Sequence, residues 1–283
     1  MIGLLLGLIG TFFEEINNSI SKEKSQKIDL LKIGIITSFF SIIIFILSLL
    51  YKFYFGNIEI HFNTGSIPLL IVRVIAEILQ SYVTILAIKH SDRSTFSIIR
   101  ILTIPLLLLV DIIMGYSFSI FSIIGIFIIV FSFIGFNLKL KTINFKGWYL
   151  VLFTAVNAVI TMSLFKYSLS HYHNSVEIDQ MLMSIGIFLF FIIFNRYKHR
   201  TCGLKLIFQD RAFVYQGVSI AIAGLLLSYT FLYMNASEAS ALKRAGEMFW
   251  SIISGVIFFK EKHLFKKLTF AFIIVIGLIV MFL

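Results

Sequence analysis

Ten stretches of 15 to 22 mostly apolar residues follow one another along this chain with little between them. They cover residues 2–20, 33–51, 67–88, 94–113, 118–137, 148–165, 180–194, 213–234, 239–259 and 269–283. A helix of roughly 20 residues matches the hydrocarbon thickness of a bilayer. Barrel strands are about half that length and alternate strictly, which these stretches do not. Hydrophobic residues make up 59% of the chain and mean hydropathy is +0.99, more apolar surface than a soluble core can absorb. The sequence therefore predicts an all-α integral membrane protein of ten transmembrane helices, with no soluble domain, long tail or low-complexity linker. The first stretch lacks a basic leader and a small-residue cleavage site, so it reads as a retained helix.

Of the 24 Lys and Arg residues, 18 fall in the loops after the odd-numbered stretches, among them Lys22, Lys24, Lys27, Arg93, Lys141, Arg196, Lys198, Arg200, Lys260 and Lys267. The loops after the even-numbered stretches hold only Lys52 and Lys166. The net charge of +10 is thus loop charge, which reads as topology and not as a nucleic-acid footprint. By the positive-inside rule the odd loops are cytoplasmic and both termini are outside.

The two halves also read alike. Arg100 and Arg244, each inside an apolar stretch, are 144 residues apart, and Lys22 and Lys166 share that offset. A unit of five helices has an odd number of crossings, so its second copy must insert upside down. Equivalent loops should then carry opposite charge bias. Lys89 and Arg93 follow the third stretch, whereas Glu238 alone follows the eighth; the loop after the fourth is uncharged, whereas Lys260, Lys262, Lys266 and Lys267 follow the ninth. The expected organisation is one membrane domain built from inverted five-helix repeats, 1–140 and 145–283.

The residues around this offset carry a further likeness. The first half has AIKHSDRS, then Pro105 in the next helix; the second has NASEASAL, then FFKEKHLFKKLTFAFIIVIGLIV with Glu261 in the link to a Gly-bearing last helix. This order resembles the drug/metabolite transporter superfamily in its ten-helix EamA-like form. The likeness spans the whole chain in helix count and these stretches in residues. Phe249 stands where the second proline would be, and Gly115-Tyr116-Ser117 replaces the acidic link of the first half. The resemblance implies secondary transport of small metabolites, often amino acids or nucleotide sugars, in a bacterial plasma (inner) membrane.

Ionisable residues within the stretches are the candidate site. Each costs about 2.5–3.5 kcal/mol to insert, so such groups usually face a cavity or a partner. Arg73 and Glu77 are spaced i,i+4 on the third stretch, and Arg244 and Glu247 i,i+3 on the ninth. At a rise of 1.5 Å per residue all four lie about 9–16 Å from the outer ends. If both helices line one cavity, the four form a cluster in which the arginines grip a carboxylate or phosphate and the glutamates an amine or a proton. The other reading is two self-neutralised pairs that pin helix packing. Glu77 and Glu247 are the candidate carriers if transport is proton-coupled.

Arg100 lies nearer the cytoplasmic side, as a gate or as a residue snorkelling to the headgroups. Glu14 and Glu15 point about 100° apart, so one of them faces the cavity unless the first helix ends early. Asp111 reads as interfacial and Lys243 as able to snorkel. Asn157 suits a substrate or an interhelical hydrogen bond. Trp250, one turn past Glu247, suits a cavity wall or plain packing. Gly3-x-x-x-Gly7 permits close helix contact.

Catalytic and cofactor motifs are missing from this pattern. His171 and His173 form the one close histidine pair and have no acidic or cysteine partner at metal-binding spacing. There is no glycine-rich phosphate cradle and no nucleophile elbow, so neither a cofactor nor ATP hydrolysis is expected. Cys202 is the one cysteine, which rules out an intrachain disulfide. The reading is a transporter, by direction an exporter, of a small polar metabolite such as an amino acid, bound between the first, third, fourth, sixth, eighth and ninth helices. The alternatives are a flippase for a lipid-linked sugar or phosphate and, from another class, an integral-membrane enzyme or receptor.

Overall fold

The structure is a computed structural model that describes residues 1–24, 30–55, 61–90, 99–139, 147–199, 211–257 and 264–281. Among these residues there are no strands and ten α-helices. They are α1 (Ile2–Lys24), α2 (Leu30–Phe55), α3 (Ile67–His90), α4 (Thr103–Ile113), α5 (Ile120–Lys139), α6 (Trp148–His171), α7 (Val176–His199), α8 (Arg211–Tyr233), α9 (Ala236–Ile257) and α10 (Leu264–Met281). Five are long and apolar enough to cross a membrane, at 31–55, 64–84, 148–171, 176–198 and 211–233; two shorter apolar helices run over 120–135 and 272–281. This architecture is compatible with a multi-pass membrane protein. Glu261, Cys202 and the loop residues Lys27, Arg93, Lys141, Arg200, Lys260 and Lys262 lie outside the described residues.

Two boundaries depart from expectation for physical reasons. The expected single helix over 94–113 is interrupted: residues 99–101 are helical, Leu102 is a turn, and α4 starts at Thr103. Pro105 has no N–H to give the carbonyl of residue 101, four places back, so the ladder breaks there. Thr103 Oγ1 instead caps the Arg100 carbonyl at 2.7 Å. The seventh helix, expected over 180–194, begins at Val176 and runs to His199. Its first turn carries Glu177 and Asp179, which look like loop residues in an apolar count but suit the positive end of a helix dipole.

The outer surface of the bundle is apolar, and its buried charged and polar side chains face inward among a mostly apolar core. On α3, Arg73 is 2% exposed while Ile75, two residues on, is 55% exposed. Ile71, Val72 and Leu79 face outward with Ile75, and Gln80 faces inward with Arg73. Helix pairing is specific: α1 packs on α8 and α9, α6 on α3 and α4, α2 on α7 and α8, α3 on α7, α4 on α9, and α5 on α10.

Small residues set the closest approaches. A Cβ on Gly125 of α5 would lie 2.6 Å from both the Gly277 carbonyl and the Met281 amide of α10. Gly7 of α1 meets the Leu242 side chain of α9 in the same way, its Cβ position 2.2 Å from Leu242 Cδ2. The Gly3-x-x-x-Gly7 spacing therefore lies on a contact face, since Gly3 also abuts Met234.

Four interhelical links meet at one end of the bundle, here called the Asn174 end. Asn63 N–H donates to Asn174 Oδ1 at 2.8 Å and Ser175 N–H to the His61 carbonyl at 2.8 Å, joining the α2–α3 link to the α6–α7 link. Asn235 Nδ2 donates to the Ser117 carbonyl at 3.0 Å, joining the α8–α9 link to the α4–α5 link.

Candidate functional site

The charged residues at membrane depth form two layers. The deeper one lies between α1 and α9. On α9, Glu247 lies one turn from both Lys243 (i,i+4) and Arg244 (i,i+3), so both basic side chains reach it. Arg244 Nη1 donates to Glu247 Oε2 at 2.6 Å. Lys243 Nζ stands 3.0 Å from Glu14 Oε1 of α1 and 3.8 Å from Glu247 Oε1. Lys243 is thus the bridge between the two helices and does not snorkel away. Of the two adjacent glutamates it is Glu14 that faces inward, while Glu15 accepts from Ser19 on its own helix.

Arg100 joins this layer from just before the α4 break, interacting electrostatically with Arg244, Glu247, Glu14 and Glu77. The cluster then holds three basic groups (Arg100, Lys243, Arg244) and three acidic ones (Glu14, Glu77, Glu247), a balanced set. Two of its polar atoms, Glu14 Oε2 and Arg244 Nε, are buried without a hydrogen-bond partner. A buried polar atom left unpaired is costly, and both of these atoms have room for a partner's hydrogen bond. The small residues Ala236, Ala239, Ala241 and Ala245 are buried along α9 and let that helix sit close among its neighbours.

The second layer lies toward the Asn174 end. Arg73 does not pair with Glu77 as its spacing suggests; its Nη1 donates to Asp179 Oδ2 of α7. Both are fully enclosed, and the guanidinium lies over the Phe165 ring of α6, 4.2 Å from its centroid. Asp179 Oδ1 accepts from Ser168 Oγ at 3.0 Å. Nearby, Glu177 takes an ion pair from Lys52 at 2.7 Å and a hydrogen bond from Tyr229. The sequence reading missed Glu177 and Asp179. The run Asn174-Ser175 followed by acids two and four places later is a helix-start pattern that could have located them.

Two residues take the packing alternative that the sequence left open, and a third departs from expectation. Asn157 is turned onto α3, donating to the Ala76 carbonyl at 2.8 Å and Gln80 Oε1 at 3.0 Å, so both its amide hydrogens are used in packing. Trp250 gives its indole N–H to the Leu8 carbonyl at 3.0 Å and packs edge-on to Phe12, which ties α9 to α1. Asp111, expected at the interface, is buried and accepts the Ser237 N–H at 2.8 Å, satisfying an orphan donor at the start of α9.

Helix ends near Asp111 are satisfied from outside as well. Lys166 of α6 gives its ammonium to the Phe231 and Met234 carbonyls at 2.7 and 2.9 Å, closing the end of α8. Glu238 accepts the Asn235 N–H at 3.0 Å, the back half of a capping box. Replacing Asp111 with alanine leaves the Ser237 N–H unpaired. The expected loss is about 1–2 kcal/mol, read as a lower melting temperature of the purified protein against wild type.

Among the described residues no group of three His, Cys, Asp or Glu stands close enough to hold a metal ion. No family model and no curated protein matches the sequence. The fold does have counterparts: a solved crystal structure, described only as that of a protein, superposes with a TM-score of 0.77 over 99% of this chain and 98% of the other, at 12% identity. At that identity the likeness is one of fold.

Proposed function

We propose that this protein is a secondary transporter of a small polar metabolite such as an amino acid, working by alternating access between inverted five-helix halves at 1–140 and 145–283. The observation that carries this reading is the balanced ionic cluster of Glu14, Glu77, Arg100, Lys243, Arg244 and Glu247 inside the bundle, with Glu14 Oε2 and Arg244 Nε unpaired. A zwitterion offers one group to each: its carboxylate to the arginine fork and its ammonium to the glutamate.

Helix pairing supports the repeat. Shifting every helix number by five turns the α1–α8 contact into α6–α3, α1–α9 into α6–α4 and α2–α8 into α7–α3; α2–α7, α4–α9 and α5–α10 map onto themselves, while α9–α10 has a weaker counterpart in α4–α5. A twofold relation between inverted halves has this property. By charge bias the Asn174 end faces outward and the basic loops inward, in a bacterial inner membrane. The knitted links at the Asn174 end then describe a state closed to the outside. Glu77 and Glu247 remain the candidate proton carriers.

The test is counterflow in proteoliposomes loaded with unlabelled amino acids, amines, sugar phosphates or nucleosides in turn. Accumulation of a labelled zwitterion only against its own kind supports the reading. Failure with every soluble class would turn it toward a flippase of a lipid-linked sugar or phosphate.

A further inference from the structure

Arg73 is the most enclosed basic side chain among the described residues. Toward the Asn174 end it has a complete set of contacts. Asp179 takes its Nη1 hydrogen bond, and Asp179 is itself held by Ser168. Ser168 Oγ accepts from Asn174 Nδ2 at 3.0 Å, and Asn174 also reaches Ser66 Oγ at 2.8 Å. Through these bonds one arginine ties α3, α6, α7 and the end of the α2–α3 link into a single closed end. It also has unused capacity: its Nε is buried with no hydrogen-bond partner.

One turn deeper on the same helix stands Glu77. It makes no hydrogen bond or ion pair with a described residue; its described interactions are electrostatic, with Arg73 on one side and Arg100 on the other. Residues spaced i,i+4 share a face, and a helical Cα–Cβ bond tilts toward the helix N-terminus, so the Glu77 side chain leans back toward Arg73. Opening the Asn174 end has to part α3 from α7, and so Arg73 from Asp179. A buried charge stripped of its partner is strongly unfavourable. Asp179 has a way out: it sits in the first turn of α7, where water and the positive end of the helix dipole both favour an anion. Arg73, a turn deeper, has none except Glu77.

We propose that Arg73 is a partner-exchange latch: it holds Asp179 while the Asn174 end is closed and takes Glu77 when that end opens, withdrawing Glu77 from Arg100 and the central cluster. The gate and the cluster then share one carboxylate, so the two ends cannot reset independently. This rests on the alternating-access reading above.

The latch can be read without any substrate. With Cys202, the one native cysteine, changed to serine, Val176→Cys places a thiol at the buried start of α7. Its rate of alkylation by a membrane-impermeant maleimide, in the purified full chain in proteoliposomes, reports opening of the Asn174 end. Asp179→Asn frees Arg73 to take Glu77 and is expected to speed labelling about tenfold, while Asp179→Glu restores the slow rate. Glu77→Gln removes the second partner, keeps the closed latch intact, and is expected to slow labelling below wild type. The double variant falls between the two.

Unchanged labelling in Asp179→Asn, or labelling in Glu77→Gln that is unchanged or faster, overturns the latch. Should Asp179→Asn fail to fold, the Glu77→Gln arm decides alone. Failure of the transport reading looks different: no metabolite is exchanged, yet labelling still follows this pattern.

Discussion

Arg244→Gln is expected to reduce metabolite exchange about 100-fold, with Arg244→Lys losing about tenfold, while both variants insert and purify. The larger loss corresponds to about 2.7 kcal/mol, within the range for removing one partner of a buried, hydrogen-bonded charge pair. Two effects combine. The fork that would grip a carboxylate is gone, and Glu247, which accepts from Arg244 at 2.6 Å, keeps Lys243 at 3.8 Å and the electrostatic field of Arg100. Lysine restores the charge without the planar fork, hence the intermediate loss. Initial exchange rates in proteoliposomes, normalised to inserted protein, are the measurement. Equal rates in wild type and Arg244→Gln would remove Arg244 from the site.

The second large effect is structural. Gly125→Leu is expected to prevent the protein from reaching its folded state, because the atoms a side chain would meet are the Gly277 carbonyl and Met281 amide, 2.6 Å from the Cβ position. Backbone cannot rotate aside as a side chain can, so α5 and α10 would have to part along their length. Overpacking usually costs about 1–3 kcal/mol, and a clash with backbone belongs at the upper end or above it. Gly224→Leu is the control, since nothing lies within 4 Å of its Cβ position. A monodisperse elution peak for Gly125→Leu equal to wild type would show that the α5–α10 contact yields more easily than its geometry indicates.

Much of the helix architecture was legible in the sequence because lipid imposes a one-dimensional rule: apolar length sets the span. Charge spacing was legible too, and the Arg244–Glu247 pair on α9 occurs as its i,i+3 spacing predicts. What spacing could not reveal was competition between helices. Arg73 has Glu77 four residues on, yet it pairs with Asp179, 106 residues away, because α7 brings that carboxylate closer than the local one. Asp179 itself was hidden by hydropathy, which scores an acidic first turn as loop. Lys243, Asp111 and Lys166 were underrated for the same reason: each finds its partner on another helix, at Glu14, at the Ser237 amide and at the end of α8. Asn157 and Trp250 were left between substrate and packing, since sequence does not show whether a neighbouring carbonyl takes a polar group at mid-depth, as the Ala76 and Leu8 carbonyls do here.

The most direct test of the transport account is ligand-induced thermal stabilisation of detergent-purified protein, screened across amino acids, amines, sugar phosphates and nucleosides, with Arg244→Gln measured beside wild type. The account predicts that a zwitterionic metabolite raises the melting temperature of wild type and leaves that of Arg244→Gln unchanged. Equal stabilisation of both proteins, or none of wild type by any soluble metabolite, would contradict a metabolite site at the α1–α9 cluster.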